Sequence, residues 1–142
     1  MRGGALLRSL MLVIVMMLFV AACSSDEPAF GPVTFKTMLN LSDPPVRGTF
    51  EVTTGADVLG CSSGTVVRVD NSETFGNYVM TCESGSNAGT FTIYRGGDLF
   101  VWNVLESSDD FAGLQGEGSW DFVLTSTTTV VETFTGDIEY TS

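Results

Sequence analysis

The chain has 142 residues, with six Lys+Arg, seventeen Asp+Glu, no His, three Cys, sixteen Gly and four Pro. That length suits one domain. The absence of His excludes Ser-His-Asp and Cys-His nucleophile arrangements, histidine zinc sites and histidine proton shuttles within the chain. A formal charge of −11 with one Lys and five Arg excludes nucleic acid as a partner, because phosphate recognition needs a basic stripe.

The first 22 residues are unlike the rest. Arg2 and Arg8 precede Leu10–Ala22, thirteen residues without a charge. As a helix this run covers roughly 20 Å, short of the roughly 30 Å hydrocarbon core of a bilayer. The pattern predicts a helical secretory signal over residues 1–22 rather than a membrane span. Val20-Ala21-Ala22-Cys23 resembles a bacterial lipobox. The resemblance implies that the signal is removed and Cys23 becomes a lipidated amino terminus, anchoring an extracytoplasmic domain to a bacterial envelope membrane. One acyl chain holds only marginally, so a stable anchor carries two or more.

Removing two arginines with the signal takes the net charge from −11 to −13. The acids are dispersed, with Asp26-Glu27 and Asp109-Asp110 the only adjacent pairs, which reads as a solvated, aggregation-resistant surface. Glu106, Asp109 and Asp110 are a calcium-like carboxylate group but lack EF-hand spacing, so no metal is expected. The pairs Glu117 with Asp121 and Glu106 with Asp109 are equally read as surface acids rather than an acid/base couple. No cofactor motif and no catalytic position is identified. With Cys23 lipidated, Cys61 and Cys82 remain as an even pair, and a disulfide between them is expected.

Residues 23–32 read as the lipidated cysteine and a small, polar, proline-punctuated tether. From residue 33 to 142, short runs of Val, Thr, Phe, Tyr and Ile alternate with Gly, Asp, Asn and Ser. That punctuation predicts strands at Val33–Leu41, Val46–Thr54, Gly64–Val69, Asn77–Glu83, Gly89–Tyr94, Leu99–Leu105, Gly118–Thr125 and Thr128–Thr141, the last open to a break at Gly136-Asp137. No long helix is expected after Cys23. Alternation places Phe50 and Val52, Phe91 and Ile93, and Trp120, Phe122 and Leu124 toward a core. Leu99–Leu105, apolar on both faces, reads as a strand covered on both sides or one whose outer face meets another element.

Eight strands in about 110 residues predict an all-β fold, a small antiparallel barrel, with a two-sheet sandwich as the competitor. If Cys61 faces Cys82 across a hairpin, Val67 pairs with Gly76 and Val69 with Thr74, leaving Asp70–Glu73 as the turn. An immunoglobulin-type sandwich would want a longer gap between its cysteines and a Trp inside it.

Three segments carry a family likeness: Cys61-Ser-Ser-Gly-Thr65; Thr81-Cys-Glu-Ser-Gly-Ser-Asn-Ala-Gly-Thr-Phe-Thr-Ile93; and, after Trp102, Ser108-Asp-Asp-Phe-Ala-Gly-Leu-Gln-Gly-Glu-Gly118. Together they resemble bacterial secreted proteins of the allene oxide cyclase barrel-like group, related to the dirigent proteins. The likeness covers most of residues 48–125 and implies a barrel with its working groups in the cavity. It is sharpest at Phe111–Gly118, whose glycines read as a tight turn into a strand. Residues Ser107–Asp110 depart from the group's pattern, and no catalytic residue transfers by position.

Two functions follow as expectations: a non-enzymatic module binding a small apolar ligand or an envelope protein, or an isomerase or cyclase acting on a hydrophobic substrate in the cavity. A shallow apolar pocket is expected near Gly89–Thr92 and Gly113–Ser119, lined in part by Trp102 and Trp120, for a fatty acid or terpenoid-like molecule. An ionisable side chain inside the cavity, such as Glu51, Asp98 or Tyr94, would favour the enzyme.

Overall fold

The computed structural model describes residues 29–42, 44–70 and 75–142. The expected signal, Cys23, most of the tether and most of the Asp70–Glu73 turn lie outside the described residues. Eight antiparallel strands follow one another round a closed barrel: β1 Phe30–Asn40, β2 Arg47–Thr54, β3 Ser63–Arg68, β4 Phe75–Ser84, β5 Thr90–Gly96, β6 Val101–Ser107, β7 Leu114–Leu124 and β8 Thr129–Tyr140, with β8 pairing back to β1. Closure removes the free edges that a sandwich would leave. The single α-helix among the described residues is α1, Ala56–Leu59, and none there is long and apolar enough to cross a membrane.

The interior follows from period-2 alternation. On β1 the buried side chains are Val33, Phe35, Thr37 and Leu39, and on β8 Val130, Glu132, Phe134 and Ile138. At mid-height four aromatic rings meet Phe134: Phe35 stacks on it at 4.8 Å, and Tyr78, Trp102 and Trp120 lie at 6.3 Å. Room for Trp102 comes from its neighbours, since it pairs with Gly118, which pairs with Gly136, and neither presents a side chain. Its indole Nε1 donates to the Thr135 carbonyl at 3.2 Å.

The two ends differ. At the end where β1 begins, α1 and a 3-10 turn at Asp109–Phe111 bring Leu59 and Phe111 inward as a fully buried plug. The Tyr140 hydroxyl donates to the Leu59 carbonyl at 2.7 Å and holds that cap. At the other end no helix occurs among the described residues, and Phe122 and Leu124 of β7 run past the core.

Several expectations need correction. Phe122 and Leu124 are about half exposed, because β7 outlasts the packed interior. The glycine run after Phe111 is mostly strand: Gly113 takes the turn, at φ +82°, and β7 starts at Leu114, four residues before the expected Gly118. Gly116 and Gly118 allow close approach to β8, where a Cβ on Gly116 would sit 2.7 Å from Ile138 Cγ2. β8 runs unbroken through Gly136-Asp137. The outer face of β6 is not covered, leaving Val101 and Leu105 exposed.

The Cys61–Cys82 disulfide is formed, with Cα atoms 6.0 Å apart. The hairpin register is not the expected one: Gly64, not Cys61, faces Cys82, and Val67 faces Val79 rather than Gly76. Cys61 sits in the loop before β3, beyond a register shift at Ser63/Gly64, and reaches across from there. The bridge staples the α1 loop to β4.

Candidate functional site

The end opposite the plug is the mouth of a pocket of 190 Å³ that reaches into the barrel. Leu39, Leu41, Val46, Phe122, Leu124 and Val130 form its apolar wall, and Trp120, Tyr78, Arg95, Arg68 and Glu132 its polar part. A water molecule occupies about 30 Å³ of liquid, so the pocket has space for about six waters or one ring-sized molecule.

Glu132 lies between Val130 and Phe134 on the inward face of β8 and is 3 % exposed. Its Oε1 accepts the Tyr78 hydroxyl at 2.7 Å. Its Oε2 lies 3.6 Å from Arg95 Nε, an ion pair too long for a hydrogen bond, and both atoms are buried without a hydrogen-bond partner. Thr37, which faces Glu132 across the β1·β8 ladder, has its hydroxyl buried and unpartnered too. An orphaned buried polar atom costs on the order of 1–3 kcal/mol. Glu132 Oε2 and Arg95 Nε, 3.6 Å apart on the pocket wall, mark a position where a water or ligand group completes the set.

Burial pushes the Glu132 carboxyl above its ordinary range, against the opposing pull of the Tyr78 hydroxyl and of Arg95 and Arg68. Burial and the nearby Glu132 carboxylate likewise push the Tyr78 phenol up, so it stays protonated and donates. The Arg95 guanidinium lies over the Trp120 ring, 4.4 Å from its centroid, and 5.6 Å from that of Tyr78. Trp120 is fixed in turn by its indole Nε1, which donates to the Gly96 carbonyl at 2.7 Å. With its faces against aromatic rings, Arg95 keeps its N–H edge for another acceptor. Arg68 is already committed, to Asp70 Oδ1 at 3.2 Å and the Phe75 carbonyl at 2.9 Å.

The residues singled out from the sequence fare unevenly. Trp120 lines the pocket, whereas Trp102 is buried in the aromatic centre below it. Gly89–Thr92 and Gly113 lie at the plugged end, and the pocket with the buried Glu132 opens at the opposite end; of the expected Gly113–Ser119 segment, Glu117 and Gly118 with Trp102 line a separate surface groove, and Leu114, Gly116 and Glu117 another. The room of this pocket arises where the apolar strand ends Phe122 and Leu124 outrun the core. Glu51 and Asp98 are exposed and Tyr94 stacks near Phe75 at 6.2 Å; none lines this pocket. The ionisable interior is Glu132, Arg95 and Tyr78. Asp110 Oδ2 accepts the Ala88 amide at 2.9 Å and Asp109 Oδ2 the Ser108 hydroxyl at 3.3 Å, so these acids hold loops, and no metal-binding cluster occurs among the described residues. No known family model, curated protein or solved structure matches the chain.

Proposed function

We propose that this chain is an extracytoplasmic, lipid-anchored binding module whose barrel mouth holds one small molecule with an apolar body and a polar end. The observation that carries the reading is the pocket floor, where Glu132 Oε2 and Arg95 Nε lie buried and without a hydrogen-bond partner beneath an apolar wall. Anchoring rests on the lipobox at Val20–Cys23. β1 begins at the plugged end, which supports a barrel tethered there with its mouth turned away from the membrane. The likeness to the allene oxide cyclase barrel-like group is consistent with a working cavity, while the fold alone implies no activity.

The size of the pocket narrows the ligand. A long-chain fatty acid or a terpenoid exceeds 190 Å³ and would leave most of its body outside, so a compact ligand is the better fit. The experiment is a thermal-shift and tryptophan-emission screen of the purified protein against ring-sized alcohols, acids, amines and hydrocarbons. A binder quenches emission saturably and raises the melting temperature with the logarithm of its concentration. No response across the panel would return the chain to the reading of a scaffold for an envelope protein.

One observation favours a second reading. Glu132 is a cavity carboxyl held partly toward its neutral form by burial, which suits a proton donor in an isomerase or cyclase. Conversion of a bound ligand, lost in Glu132→Gln while binding persists, would establish it.

A further inference from the structure

The donor and acceptor inventory of the pocket floor narrows the ligand's polar end. Arg95 brings five N–H donors, and none meets a hydrogen-bond acceptor among the described residues. An alcohol oxygen offers two lone pairs, whereas a carboxylate offers about four and fits the edge of a guanidinium two atoms to two atoms. Charge points the same way. After residue 22 the chain has four cations, and two of them, Arg68 and Arg95, line this one pocket against a single acid, Glu132. Arg68 is neutralised by Asp70, which leaves Arg95 and Glu132 to face the ligand.

We propose that the pocket binds a small monocarboxylic acid, carboxylate inward on Arg95 and Glu132, and takes up one proton from solvent as it binds. Two carboxylates brought together in a buried site cannot both stay ionised. The proton goes to the orphaned Oε2 of Glu132, which then donates to the ligand carboxylate, while Oε1 keeps the Tyr78 hydroxyl. The other groups facing Glu132 are Arg95 from β5, Arg68 from β3, Thr37 from β1 and the Trp120 ring from β7; none of them supplies a proton. Ligand charge and proton charge cancel, so the buried set stays neutral overall. The ring or chain of the acid lies outward against Leu39, Leu124 and Val130. This inference rests on the binding reading above and specifies its ligand class.

The test is isothermal titration of the purified full chain with benzoate, benzyl alcohol and benzylamine, at several pH values and in two buffers of different ionisation enthalpy. Benzoate is expected to bind best, with one proton taken from the buffer. At pH above the Glu132 pKa its Kd should rise about tenfold per pH unit, the slope that a single linked proton imposes. Glu132→Gln carries a permanent amide donor and should bind benzoate with that slope and the proton uptake both gone. Arg95→Met should weaken benzoate at least tenfold at every pH, and circular dichroism and melting of both variants show whether the barrel persists. If either variant does not fold, the wild-type proton count and pH slope still decide. Benzyl alcohol binding more tightly than benzoate, or benzoate binding without proton uptake, would overturn the carboxylic-acid inference and leave the binding module standing. No binding by any of the three probes would overturn both.

Discussion

Phe134 is the side chain on which the barrel's packing converges, and truncating it to Ala should be the most damaging single change in the interior. It is fully buried, stacks on Phe35 at 4.8 Å, and has Tyr78, Trp102 and Trp120 at 6.3 Å. A buried Phe→Ala change costs about 3–5 kcal/mol, and each aromatic pair adds about 0.5–1.5 kcal/mol beyond its buried area. With four rings left facing a void inside a closed sheet that cannot collapse, Phe134→Ala should lose about 5 kcal/mol. A domain of this size has about 5–15 kcal/mol to lose. With a urea m-value of about 1–3 kcal/mol/M, the unfolding midpoint falls by about 2–5 M. Phe122→Ala is the control: the same chemical change on a half-exposed ring at the pocket rim, expected to cost less than about 1 kcal/mol. Urea unfolding followed by circular dichroism compares the two. A Phe134→Ala loss no larger than that of Phe122→Ala would refute the account of the core.

Three further predictions concern the disulfide, the anchor and the buried acid. The Cys61–Cys82 bridge spans 21 residues of sequence, so removing it with a double Cys→Ala variant should cost about 3 kcal/mol by loop-closure entropy; intact mass two hydrogens below the reduced value, and no alkylation under denaturing, non-reducing conditions, check that it forms. Cys23→Ser should abolish lipid attachment and move the protein out of the detergent-rich phase in a Triton X-114 partition, and unchanged partition would refute the lipobox reading. Glu132 has its carboxyl raised from 4.5 by burial, so its contribution to stability is present below about pH 4.5 and declines as pH rises through the folded value. Glu132→Gln should flatten that part of the stability–pH curve, as read from melting temperature between pH 4 and 8; an unchanged curve would mean the carboxyl is not perturbed.

The strands were legible because Val, Thr and aromatic runs broken by Gly, Asp and Asn are a strong local signal, and all eight expected segments overlap observed strands. Closure was legible from strand number and chain length. Boundaries at glycines were not: Gly116 and Gly118 have the composition of a turn, yet they lie in a strand because β8 comes too close for side chains there, a tertiary fact with no local trace. The hairpin register failed for a related reason. A disulfide restricts distance and not pairing, so Cys61 could bridge from a loop while Gly64 took the place opposite Cys82.

The site itself was readable and was missed. Val130, Glu132 and Phe134 alternate on one strand, so any register that buries the two apolar residues buries the acid between them. Arg95 continues the inward parity of Phe91 and Ile93 in the same way. Charged residues in phase with a buried face were the available signal, whereas Glu51, Asp98 and Tyr94 were out of phase with the core or beyond the strand end. The side of the pocket could not be read in advance, because it depends on which end α1 and the 3-10 turn plug.

The pocket and the core each contain one tryptophan, and that gives the most direct test of the central claim that the barrel mouth is the binding site. Trp120 Nε1–H donates to the Gly96 carbonyl at the mouth, and Trp102 Nε1–H to the Thr135 carbonyl in the packed centre. With 15N-labelled protein the two indole resonances, assigned by Trp→Phe variants, are followed as benzoate is added. The account predicts that the Trp120 indole signal shifts saturably while the Trp102 signal stays in place. Movement of Trp102 alone, or saturable binding that leaves Trp120 unmoved, would contradict it.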